Sequence, residues 1–244
     1  MDGAAYLRAG GVVTGGAVAY TVAHSSYVPL SVPLFTIFVL GAVAVSELMS
    51  PRPSRSATAT ARLAARDSDT YLPPGARRHL FWLSLAVLVG LPVIAVLASG
   101  SPIGIVGRQD SVTNLWLLLP AVIALGAWGL LARHLLRVIA ESGHAGLEPH
   151  QLASDEAWRR RAARLVYGTT GVLLAAPLAG GLLVLDQHIY FLTTGGWGWI
   201  MLGVTVAAMV VLIVLGHHLH VLTHPGPPGE VTPAAEHAPA EALA

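Results

Sequence analysis

Apolar runs of membrane-crossing length recur along the chain, and nearly all the charge is gathered into the segments between them. The runs cover residues 6–24, 27–49, 80–98, 115–136, 165–185 and 197–218. A helix of about 20 apolar residues crosses the hydrocarbon core of a bilayer. The pattern therefore predicts an all-α protein, a polytopic transmembrane helix bundle with six spans, or five if residues 6–24 do not span. That first run is rich in glycine, and Gly11 and Gly15 have the spacing that lets two membrane helices approach closely. The competing reading of the same run is a signal peptide cut after Ala23. Pro29 and Pro33 fall in the opening turns of the second run, where proline disturbs a helix least. Pro92, Pro120 and Pro177 fall inside later runs; they mark either helices broken around a cavity or ordinary prolines of membrane helices.

The polar segments set the orientation. Twelve of the fourteen arginines lie in two stretches, residues 50–79 and 133–164. Under the positive-inside rule the Arg-rich linkers, 50–79 and 137–164, are cytoplasmic and the loops 100–112 and 186–196 are external. Six spans then put both termini in the cytoplasm. Trp116, Tyr190, Trp197 and Trp199 fall at the outer boundary and Tyr71, Trp82, Trp158 and Tyr167 at the inner one, as interfacial aromatics do. The fourth helix is expected to start at Thr113 or Asn114, to continue into water through Arg133, His134 and Arg137 to Glu141, and to stop at Gly143. Ser154-Asp155-Glu156 reads as the start of the fifth. After Pro225 the composition is Pro, Ala and Glu, which predicts a disordered tail over 225–244.

With 54% hydrophobic and 11% charged residues, the chain is far more apolar than a soluble domain, in which about 25% of residues are charged. The bilayer is thus its first partner and the plasma membrane its expected location. Without cysteine, disulfides, thiolate nucleophiles and thiolate metal sites are excluded. A net charge of +1 gives no general attraction to nucleic acid. No Walker loop, HExxH, serine elbow or dinucleotide fingerprint occurs.

Laying Pro92 on Pro177 reveals an internal echo. His79-Leu80-Phe81-Trp82 then lies over Arg164-Leu165-Val166-Tyr167, and Asp69-Thr70-Tyr71 resembles Glu156-Ala157-Trp158. A repeated unit of this kind places transporter sites at the repeat interface; equally, any cytoplasmic hairpin needs inner arginines and an interfacial aromatic. The segments Arg66-Asp67-Ser68-Asp69-Thr70-Tyr71-Leu72-Pro73 and Ala153-Ser154-Asp155-Glu156-Ala157-Trp158-Arg159 resemble the two cytoplasmic segments of a group of small actinobacterial multi-pass membrane proteins. Ser68-Asp69-Thr70 is an insertion relative to that group's first motif. The resemblance implies a multi-pass layout and brings no activity, cofactor or catalytic residue.

Three constellations are candidates for chemistry. His217, His220 and His224 fall within about 60° of arc on a helix at roughly 100° per residue, so three imidazoles face one divalent metal such as Zn²⁺; the alternative is interfacial histidines standing where lysine is absent. Glu47 is a carboxylate just inside a span, and intramembrane ionisable residues are functional candidates; the alternative is an ion pair with Arg52, Arg133 or Arg137. Arg77, Arg78, Arg159, Arg160 and Arg161 are candidate contacts for anionic lipid or a protein partner. Asp186 and His188, two residues apart, point to different faces and form no dyad. The function expected is that of a non-enzymatic membrane component of a transport or envelope complex. The alternatives are a metal-dependent membrane enzyme using the His217/His220/His224 cluster and a stand-alone carrier or channel.

Overall fold

One helix, with a middle stretch of mostly small and apolar residues, takes the centre of the bundle. From Ala163 to Ala179 it carries Gly168, Gly171 and several alanines among leucines and valines, and Ala163, Val172, Leu173 and Ala175 are completely buried. A helix apolar all round belongs in an interior, and its small residues let neighbours close in. The computed structural model describes residues 3–24, 28–48, 61–62, 71–72, 75–99, 113–141, 144–145, 149–192 and 198–225. Most of the 50–79 linker, the 100–112 loop and the tail beyond Pro225 lie outside the described residues.

The helices are α1 (Gly3–His24), α2 (Val28–Leu48), α3 (Ala76–Ser99), α4 (Thr113–Glu141), α5 (Pro149–Leu192) and α6 (Gly198–Thr223). The central helix is α5, which packs on α2, α3, α4 and α6, while α1 lies against α2 and α6. This is the all-α helix bundle expected from the apolar runs. Among the described residues three segments are long and apolar enough to cross a membrane: Ala76–Ile94, Asp155–Leu183 and Gly198–Thr223. A shorter apolar segment is Ser31–Ser46. Two-residue strands, β1 (Ala61–Arg62) and β2 (His144–Ala145), pair antiparallel and join the two Arg-rich linkers.

The outer surface settles the solvent. On α6, Trp199, Leu202, Val206, Met209, Val210 and Ile213 are all exposed, and α3 turns Phe81, Trp82, Leu88 and Val89 outward. Continuous apolar surface of this extent is foreign to a soluble monomer. A bilayer supplies its partner, so the chain is a membrane protein.

Several boundaries differ from the sequence reading. α5 begins at Pro149, so Ser154 lies within its second turn; proline is favoured at a first helical position because its missing N–H has no partner there anyway. Asp186 belongs to α5 and not to a loop. α6 runs on to Thr223, and the His224 amide still donates to the His220 carbonyl at 2.9 Å. α3 and α5 pass through Pro92 and Pro177 without a break, so the reading of broken helices does not hold at these two prolines. α4 has the expected limits. Ahead of α3, Gly75 has φ +77, a conformation that glycine adopts without strain, and its carbonyl accepts the first helical bond from His79 at 2.9 Å.

The Gly11/Gly15 spacing works as read. A Cβ on Gly11 would lie 2.1 Å from the Ala42 Cβ, and one on Gly15 2.9 Å from the Phe38 Cβ. The α1–α2 hairpin thus depends on backbone approach.

Candidate functional site

The helix-borne arginines among the described residues concentrate at one end of the bundle, and there they divide into two groups. Arg8, in the second turn of α1, is only 2% exposed. Its Nε donates to Ser46 Oγ on α2 at 2.9 Å and its Nη1 to the Leu222 carbonyl on α6 at 3.0 Å. Arg159 on α5, also 2% exposed, donates through Nε to Asp155 Oδ2 at 2.8 Å and through Nη1 to the Ile139 carbonyl on α4 at 2.9 Å. Both acceptor carbonyls belong to last helical turns, whose C=O groups have no partner within their own helix. The buried guanidiniums therefore cap α6 and α4 from neighbouring helices, where the dipole also favours a cation. Arg164 donates to the Pro225 carbonyl, just past α6, at 3.4 Å.

Arg159 thus belongs to the scaffold, a role the sequence did not separate from that of its neighbours. Arg160 is half-buried and pairs with Glu156 at 3.6 Å, and Arg161 is half-buried as well. Arg77 and Arg78 on α3, Arg133 and Arg137 on α4, and Arg164 on α5 are exposed. Tyr71, which precedes α3, donates to Glu156 Oε2 at 3.3 Å, so the two echoing segments of the sequence meet. They share a small core of Tyr71, Leu72, Ala76, Ala163 and Tyr167.

Beside this end lies a cluster of rings from three helices. His218 on α6 is completely buried, with its ring centroid 5.1 Å from His79 on α3, 4.7 Å from Tyr167 on α5 and 5.4 Å from His217. It sits in a notch made by two glycines of α5: a Cβ on Gly171 would lie 2.0 Å from its ring, and one on Gly168 would lie 2.9 Å from the Leu222 amide nitrogen. Neither ring nitrogen of His218 has a hydrogen-bond partner among the described residues.

The three histidines chosen from the sequence are not gathered around one point. His217 lies with Tyr167 and His218, whereas His220 and His224 stack on each other with centroids 4.9 Å apart. His224 Nδ1 is 2.9 Å from Thr223 Oγ1. Among the described residues no three His, Cys, Asp or Glu side chains are placed to hold a metal. Glu47 lies in the last turn of α2, and its side chain is outside the described residues.

No family model, curated protein or solved structure matches this chain. Further polar groups within the bundle also bridge helices: Trp128 Nε1 donates to Thr170 Oγ1 at 3.2 Å, and Thr205 Oγ1 donates to Asp186 Oδ1 at 2.6 Å. An open groove of about 580 Å³ between α1 and α2, lined by Tyr6, Gly10, Gly11, Thr14, Phe38 and Gly41 among others, is predominantly apolar. These groups hold helices together. The exposed arginines of the basic end are the set that faces outward.

Sequence reasoning missed Arg8 and His218. A lone arginine before an apolar run reads as an interfacial charge, and its acceptors lie 38 and 214 residues away. For His218 the available signal was the Gly168/Gly171 pair on α5, one turn apart and so on one face, which marks a close approach by another helix.

Proposed function

We propose that the protein is a non-enzymatic integral component of the plasma membrane, the membrane-embedded partner of a transport or envelope complex, and that its basic end docks a cytoplasmic or membrane protein. The observation that carries this reading is the division of the arginines at that end. Arg8 and Arg159 are consumed in capping helices, while Arg77, Arg78, Arg133, Arg137 and Arg164 stand exposed around them. By the positive-inside rule this end is cytoplasmic and both termini lie with it. The pairs Trp128/Thr170 and Thr205/Asp186, which tie helices to each other, support a scaffold more than a solute path.

Affinity purification from native membranes in mild detergent, read for co-purifying proteins and bound metal together, tests the reading. A stoichiometric partner that is lost on Arg133→Gln with Arg164→Gln is the expected result. A chain that purifies alone and carries stoichiometric metal would overturn it in favour of metal chemistry. The orientation is checked separately in the natural cysteine-free background: a single cysteine at Ala145 should resist an impermeant thiol reagent in intact cells, and one at Gly198 should react.

A further inference from the structure

We propose that the outward face of α3 is a binding site for one anionic phospholipid, with Arg77 and Arg78 on the headgroup phosphate, Phe81 and Trp82 at the level of the ester groups, and Leu85, Leu88 and Val89 along an acyl chain. The inference rests on the proposed function only in taking this end of the bundle as the cytoplasmic boundary of the membrane; it goes beyond that reading by giving Arg77 and Arg78 a lipid occupant and leaving protein docking to the other exposed arginines.

The register of the helix carries the argument. Arg78, Trp82, Leu85 and Val89 fall within about 60° of arc, and Arg77, Phe81 and Leu88 form a second stripe beside them, at roughly 100° per residue. Every one of these residues is exposed: Phe81 is 62% and Trp82 59% accessible, and both arginines are exposed. Leu83, Val87, Leu91 and Ile94 turn the opposite way into the core. The face therefore reads from cation to aromatic to aliphatic along its length, which is the order of phosphate, ester and hydrocarbon in a lipid. The two rings pack edge to face with centroids 5.5 Å apart, making a single aromatic step between the charged and aliphatic levels.

Charge complementarity selects an anionic occupant. Arg77 and Arg78 stand in the first turn of α3, where the helix dipole disfavours cations and favours anions. Two exposed cations at the positive end of a helix make that end strongly electropositive, and guanidiniums match phosphate geometry well, so the charge at this level is complementary to an anionic headgroup. The positive φ of Gly75 fixes the turn just ahead of them.

Trp82 is a reporter within the site. The purified chain is reconstituted in phosphatidylcholine vesicles containing brominated phosphatidylglycerol or brominated phosphatidylcholine. The Trp82 signal is taken as the difference between the natural chain and Trp82→Phe. Quenching should favour the brominated phosphatidylglycerol. That preference should fall by up to about 30-fold in Arg77→Gln/Arg78→Gln, the effect of two surface arginines. It should survive in Arg77→Lys/Arg78→Lys, and in Arg133→Gln/Arg137→Gln, which removes the same charge from α4. Equal quenching by the two lipids in the natural chain would overturn the proposal, and so would an equal loss in the α4 variant. Competition by millimolar inorganic phosphate would reassign the site to a free anion. Because the vesicle measurement requires neither a protein partner nor a known orientation, its failure is distinct from failure of the docking reading.

Discussion

Gly171→Ala should separate α5 from α6, and the loss should be reversed by shortening one particular side chain. The added Cβ would lie 2.0 Å from both Cγ and Nδ1 of His218, against about 3.5–4 Å for an ordinary carbon contact. The ring has no escape, since His218 is completely buried between His79 and Tyr167. Relief therefore requires the helices to part by more than about 1 Å, and overpacking of this kind costs about 1–3 kcal/mol. Alanine returns about 1 kcal/mol in helix propensity, leaving a net loss of up to about 2 kcal/mol. Gly168→Ala is the control, because its Cβ would lie 2.9 Å from the Leu222 amide nitrogen and 3.2 Å from the His218 carbonyl oxygen, backbone atoms that no side-chain change removes. Equilibrium unfolding in mixed detergent, followed by tryptophan fluorescence, should show coupling of at least about 1 kcal/mol between Gly171→Ala and His218→Ala and near-additivity between Gly168→Ala and His218→Ala. Coupling below about 0.5 kcal/mol at Gly171, or the same coupling at both glycines, would refute the view that the His218 ring fills the notch.

The same unfolding assay reaches the other helix ties. Arg8→Met leaves the Ser46 hydroxyl without its donor and uncaps the Leu222 carbonyl, and should cost about 2–3 kcal/mol, whereas Ser46→Ala should cost about 1; an Arg8→Met chain as stable as the natural one would show that the buried guanidinium is not a tie. Arg159→Gln should destabilise by about 2 kcal/mol and speed amide exchange in the last turn of α4, which loses its cap at Ile139; unchanged exchange there would contradict the capping role. Trp128→Phe removes one interhelical bond to Thr170 and should cost about 0.5–1 kcal/mol, with a larger loss pointing to packing instead. Replacing His217, His220 and His224 together by alanine should leave both stability and metal content unchanged, and stoichiometric zinc lost in that variant would restore the triad.

What the sequence disclosed follows the range of the forces involved. The positions of the helices were legible because hydrophobic pattern is a property of neighbouring residues, and the end of α4 at Glu141 and the Gly11/Gly15 contact with α2 came from equally local signals. The start of α5 at Pro149 was missed because Ser154-Asp155-Glu156 resembles a cap. The competing signal was present in the i,i+4 pairs Asp155/Arg159 and Glu156/Arg160, which continue one helix through the polar stretch. The candidate set was read less well because charge alone does not separate Arg159 from Arg78. One is buried under α4 and the other exposed on α3, a difference decided by which helix ends lie nearby.

That difference bears on how arginine is used here. With no lysine in the chain, every obligate cation has a planar group able to donate several hydrogen bonds. A buried lysine at Arg8 would offer a compact point charge to a hydroxyl on one helix and a carbonyl on another; the guanidinium reaches both through separate nitrogens. Charge at this end consequently does two things by the same chemistry. It closes the C-terminal carbonyls of α4 and α6 where the surroundings are dry, and it offers phosphate-matched donors where they are wet. Arg8→Lys separates the two. Retaining the charge should preserve orientation under the positive-inside rule, while losing the forked donor should retain only part of the 2–3 kcal/mol that Arg8→Met removes. Single-cysteine labelling and the unfolding assay read these effects independently. Full stability in Arg8→Lys would mean that charge, and not the two-pronged geometry, holds α1 to α2 and α6.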